Sequence, residues 1–116
     1  MIGYITLGTN DLDKAVAFYD ALFSTVGAAR TMEEDTFVAW GTSPEAPMFS
    51  VTKPFDGDNA SVGNGVMIAL SAQSPDQVNA IYSKAIELGA SDEGEPGPRG
   101  DGGFYAGYFR DLDGNK

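Results

Sequence analysis

The sequence predicts an α+β fold of two paired β-α-β-β-β modules. Three observations predict it. Residues 4–13, YITLGTNDLD, are echoed by residues 67–76, MIALSAQSPD, at an offset of 63. Each copy passes from two-residue alternation into an apolar period of three and four, as a strand feeding a helix does. After each helix the chain turns extended, with short β-type segments separated by polar turns. At 116 residues this is one domain by length. Its organisation reads as a first module over 1–53, a linker over 54–64 and a second module over 65–116.

In the first copy Ile5, Leu7 and Thr9 alternate with Tyr4, Thr6 and Gly8. Asn10 or Asp11 can cap the helix, and Asp13 sits in its first turn against the positive end of the dipole. Leu12, Ala15, Val16, Tyr19, Leu22, Phe23 and Val26 form one apolar stripe, and Gly27 ends it. In the second copy Ile68, Leu70 and Ala72 alternate with Met67, Ala69 and Ser71. Ser74 is the cap candidate, Pro75 suits the first helical position, and Asp76 matches Asp13. The stripe is Val78, Ile81, Tyr82, Ala85 and Ile86, stopped by Gly89.

Residues 28–32, 36–41 and 48–52 read as the remaining strands of the first half, with 33–35 as an acidic turn. In the second half, strands are expected at 90–93 and 104–110, and residues 94–103 are too rich in glycine to be regular. Residues 111–115, DLDGN, read as a turn rather than the opening of a calcium loop. The mate of strand 48–52 is expected at Lys116 or just after it. The sequence is therefore expected to be one strand short, and the natural chain longer.

The chain has no histidine and no cysteine. This removes disulfides, thiolate nucleophiles, the commonest general base and the commonest metal ligand. A net charge of −10 with seven basic residues disfavours nucleic acid and anionic membranes as partners. No apolar run approaches a membrane span and no signal peptide is evident, so a cytoplasmic protein is expected.

The paired modules, the helix motif Asp11-Leu12, Ala15, Phe18-Tyr19, the segment GVMIALSA at 65–72 and the late DLDGN turn together resemble the vicinal oxygen chelate superfamily. That group contains glyoxalases, extradiol dioxygenases and bleomycin-resistance proteins. The resemblance implies four metal-ligand positions in metal-using members. Three fall on Tyr4, Ser50 and Met67, and the fourth lies about two residues beyond Lys116. A phenol, an aliphatic hydroxyl and a thioether are poor ligands for hard or borderline divalent ions at neutral pH. No metal and no cofactor is therefore expected.

The implied function is binding of a small molecule, cationic or aromatic, in the cleft between modules, by a protein that is a homodimer. The alternative is a metal-dependent or metal-independent lyase, isomerase or dioxygenase of the same superfamily, for which no catalytic residue can be named. Candidate ligand-binding residues are Tyr4, Thr6, Ser50 and Met67 on the concave face. Trp40, Tyr105 and Tyr108 are candidate aromatic walls, and Arg99 is a cation available to an anionic group. Gap filling by Tyr4 and Met67, core packing of Trp40, a hydrophobic interface for the aromatic strand and a plain loop around Arg99 are the competing structural readings.

Overall fold

The alternation at the start of the chain forms strand β1 (Tyr4–Gly8), and the stripe after it forms helix α1 (Leu12–Phe23). The computed structural model describes residues 1–116 in full. Asp11, not Asn10, is the cap: its carboxylate accepts from the Lys14 amide. A short 3-10 turn (Ser24–Val26) tightens the helix end, and Gly27 takes the left-handed φ of +72° that releases the chain. Three strands follow: β2 (Ala29–Glu34), β3 (Phe37–Gly41) and β4 (Met48–Thr52). They assemble with β1 into a four-stranded sheet of order β1-β4-β3-β2. β1 runs parallel to β4, and the other neighbours are antiparallel.

The second half places helix α2 (Pro75–Glu87) where predicted, with the Ser74 hydroxyl accepting from the Gln77 amide. Ser74→Ala removes that acceptor and is expected to cost about 1 kcal/mol, read as a lower urea midpoint with an unchanged slope. Strands β5 (Ser91–Arg99) and β6 (Phe104–Arg110) pair antiparallel as a two-stranded sheet. No helix is long and apolar enough to cross a membrane.

Two local expectations are corrected. Residues 94–99 are strand, not irregular loop. β5 absorbs its glycines and prolines through register shifts at Asp92/Gly94 and Gly94/Gly97, and pairs on one side only. Its close packing depends on Gly107: a Cβ there would lie 3.0 Å from the Pro96 side chain and 3.3 Å from the Tyr82 ring. Conversely, residues 67–72 alternate like a strand but form none. Strand geometry needs a hydrogen-bonded neighbour, and their single backbone–backbone bond is Ile68 N–H to the Lys116 carbonyl, 2.9 Å.

Thirteen buried residues form one core that includes both halves. Leu7, Val38, Trp40, Phe49 and Val51 line the helix side of the first sheet. They meet Phe18, Tyr19, Leu22 and Phe23 of α1, while Ile81 and Ala85 of α2 join from the second half. Each such fully buried side chain contributes on the order of 1.5–3 kcal/mol. The two halves of the chain thus share one core.

The turn after β6 ties that core together. Asp111 is buried, and its carboxylate accepts from the Tyr19 hydroxyl (2.7 Å), the Asp113 and Asn115 amides and the Asn115 side chain. Asp113 accepts from the Asn10 amide, and the Asn115 side chain donates to the Gly8 carbonyl. These oxygens are engaged by the protein itself, which accords with the turn reading of DLDGN.

Candidate functional site

β-Strand alternation decides which residues reach the sheets' open side, away from the helices. On the first sheet these are Tyr4 and Thr6 of β1 and Met48, Ser50 and Thr52 of β4, opposite the core-facing Leu7, Phe49 and Val51. Thr6 and Ser50 are brought together, with hydroxyl oxygens 2.8 Å apart, and the Ser50 hydroxyl also donates to the Ile5 carbonyl. Tyr4 is 65% exposed.

A largely apolar cavity lies between residues 67–72 and β6. It measures about 420 Å³, and sixteen of its twenty lining residues are hydrophobic. Val78, Ile81 and Tyr82 of α2 close it on the helix side, and Leu7, Tyr19 and Phe49 extend it toward the shared core. Met67, Tyr105 and Tyr108 line it, as do Asn115 and Lys116. Tyr4, Thr6 and Ser50 do not.

Trp40 faces the other side of its sheet. It is 1% exposed, and its indole N–H donates to Asp20 at 2.8 Å. The expectation that it forms an aromatic wall of the cleft is corrected: β3 parity turns it, with Val38, into the core. Tyr105 points toward α2, its hydroxyl donating to Asn79 at 2.8 Å. Tyr108, of opposite parity, carries the Arg99 guanidinium 5.3 Å and the Lys116 ammonium 5.4 Å from its ring centroid. Arg99 also donates to the Glu95 carbonyl, 2.6 Å. The aromatic strand therefore makes one wall, with two cations gathered at Tyr108.

Two tyrosines of the cavity, Tyr19 and Tyr82, are held protonated. Tyr82 donates to Asp92 at 2.8 Å. That bond, with lesser contributions from desolvation and the Asp92 and Glu95 charges, pushes its pKa up to about 12. Burial raises Tyr19 well above the ordinary phenol value, reinforced by the charge and hydrogen bond of Asp111 and the charge of Asp113. Neither is a base near neutral pH. Nowhere do three His, Cys, Asp or Glu side chains converge as a metal cluster would require.

Sequence reasoning missed the α2 wall and the contributions of Leu7, Tyr19, Phe49, Asn115 and Lys116. Val78, Ile81 and Tyr82 were read only as a core stripe. The signal that could have found them is the 63-residue offset, which makes Tyr82 the counterpart of the buried Tyr19.

The comparisons agree with this architecture. A crystal structure of a glyoxalase/bleomycin resistance protein from Albidiferax ferrireducens T118 is similar at 36% identity and TM-score 0.90, over 99% of this chain and 93% of that one. A hypothetical protein from S. aureus matches at 24% identity and TM-score 0.74, over 99% of this chain and 88% of that one. The fosfomycin resistance protein FosX from Listeria monocytogenes shares the fold at 22% identity and TM-score 0.73, over 99% of this chain and 87% of that one. None of the curated proteins matches the chain. The model of the Glyoxalase/Bleomycin resistance protein/Dioxygenase superfamily matches residues 1–116, and the chain belongs to that superfamily.

Proposed function

We propose that this protein is a metal-independent member of its superfamily that binds a small, partly aromatic molecule on the open side of the cavity. The observation that carries the reading is the chemistry of Tyr4, Ser50 and Met67. Tyr4 presents an exposed phenol, and Ser50 spends its hydroxyl on Thr6 and the Ile5 carbonyl. Met67 offers a thioether suited to soft ions only. These residues do not fit a divalent ion.

What they do fit is an apolar ligand. Met67, Ala69 and Tyr108 give contact area, and Ser71 a polar handle. The charge of −10 steers cations toward the molecule, while Arg99 and Lys116 at Tyr108 favour an anionic group at that one corner. The proposal extends to a cytoplasmic homodimer, in which a second copy would cover the exposed Tyr4 side chain. The enzymatic reading is weaker because two of the cavity's phenols are held protonated, Tyr19 first by burial and then by Asp111, and Tyr82 first by its hydrogen bond to Asp92.

Thermal-shift measurements on dialysed protein test this. Nickel, zinc, manganese and ferrous ions should leave the melting temperature unchanged. An aromatic probe, either the cation ethidium or the anion 8-anilinonaphthalene-1-sulfonate, should raise it, since a ligand of the folded state alone stabilises that state. A stoichiometric divalent ion that raises the melting temperature overturns the proposal.

A further inference from the structure

The chain has five asparagines, at positions 10, 59, 64, 79 and 115. An asparagine amide is labile because the backbone nitrogen of the next residue can attack its side-chain carbon, and it survives where either group is held. Four of the five are held. Asn10 donates to the Ala60 carbonyl and accepts from the Ala60 amide, at 3.0 and 2.7 Å. The second of these bonds also ties down the nitrogen that would attack Asn59. Asn79 lies inside α2 and accepts from the Tyr105 hydroxyl. Asn115 donates to the Gly8 carbonyl and to Asp111.

Asn64 differs from the other four. It is exposed, and whereas hydrogen bonds hold the side chains of Asn10, Asn79 and Asn115, none holds its own. The Gly65 amide that follows it has no backbone acceptor. Gly65 takes a φ of +90°, and nothing lies within 4 Å of where a Cβ on it would stand. Asparagine followed by glycine is a turn pair, and here the Val66 amide closes the turn on the Gly63 carbonyl at 3.2 Å. With no side chain to screen the nitrogen and no bond to hold it, the attack is unobstructed. The turn leads into residues 67–72, one wall of the cavity.

We infer that Asn64 is a site of spontaneous covalent modification, converted through a cyclic imide to aspartate and isoaspartate. The Gly65 nitrogen bonds to Cγ of Asn64, the Cγ–Nδ2 bond breaks, and Nδ2 leaves as ammonia with the proton the attacking nitrogen gives up. One water then opens the ring. Opening at the side-chain carbonyl restores the ordinary backbone with aspartate. Opening at the main-chain carbonyl leaves the chain running through Cβ and Cγ, as isoaspartate. Either product replaces a neutral amide by a carboxylate and adds one negative charge to the −10. Isoaspartate also lengthens the turn by one backbone carbon, which disturbs the spacing that lets Val66 reach Gly63. The inference is independent of what the cavity binds.

The test keeps the purified protein warm near neutral pH, native and in urea, and follows it by anion exchange and peptide mass mapping. A later-eluting, more acidic form should accumulate from the native protein, with ammonia released in equal amount. Mapping should place isoaspartate at position 64 and leave the other four asparagines intact. Asn64→Gln, whose longer side chain closes the ring poorly, should lose the acidic form while melting at the parent's temperature. Asp101-Gly102 would also give isoaspartate, but with neither ammonia nor a change of charge. Modification in urea but not in the native protein overturns the proposal, since the folded turn would then protect Asn64. So does a native product at 64 that is aspartate alone, or first loss of amide at 10, 59, 79 or 115.

Discussion

Asp111→Ala should lower the unfolding free energy by about 3 kcal/mol, roughly a third of the stability of a typical small domain. The size follows from what the carboxylate leaves behind. Tyr19 is packed among Phe18, Phe23 and Phe49, with ring centroids 4.7 to 5.2 Å away, so its hydroxyl has no water to turn to. A buried donor stripped of its acceptor costs about 1–3 kcal/mol by itself. Loss of the bonds to the Asp113 and Asn115 amides adds to this, because those bonds shape the turn that carries Asn115 to Gly8. Tyr19→Phe should cost only about 1 kcal/mol, since no orphaned donor remains. The double variant should cost less than the two single changes added together. Urea denaturation of the four proteins measures the coupling; strict additivity would show that the carboxylate and phenol act separately.

Trp40→Ala is the second large effect, expected at about 3–5 kcal/mol by loss of the core's largest side chain. Trp40 packs against Tyr19 and Phe23 with centroids 5.9 and 5.8 Å away. Trp40→Phe keeps an aromatic ring but drops the donor to Asp20, and should cost well under half as much. The same contact gives the protein an acid limb. The Asp20 carboxyl is held below its ordinary value of 3.8, first by the Arg30 hydrogen bonds and then by the Trp40 indole. A lowered folded-state value means stability present above about pH 3.8 and lost as pH falls through the folded value. Asp20→Asn should flatten thermal stability below pH 4, and an unchanged slope there would remove Asp20 as the cause. The pair is partly exposed, so the effect is modest.

How far the chain declares its fold can be judged from individual residues. Ser74 with Pro75 and Asp76 names the start of α2 because caps act locally, on amides two or three residues away. β4 is found at its predicted bounds because its apolar run is bracketed by turn residues on either side. Residues 67–72 carry as clear a strand pattern as β1 but lack a strand on which to build it, and pairing is not a local property. β5 was hidden by its glycines and prolines, which an edge strand with bulges tolerates and a central strand does not.

The site was less legible. Tyr105, Tyr108 and Met67 do line the cavity, whereas Trp40 was lost to the core and Tyr4, Thr6 and Ser50 lie on the neighbouring open face. Arg99 is held over Tyr108. The bond from Tyr19 to Asp111 joins residues 92 apart, and neither stripe nor turn signal announces a partner at that distance.

Those long spans also order events during synthesis. The bonds from Tyr19 to Asp111, Asn10 to Asp113 and Gly8 to Asn115 bridge 92, 103 and 107 positions. A ribosome emits roughly 5–20 residues per second, so the phenol of the first helix waits on the order of 5–20 s for its acceptor to be made. Until then the nascent first half carries a polar group with nowhere to place it. The chain cannot finish its beginning before it has nearly reached Lys116.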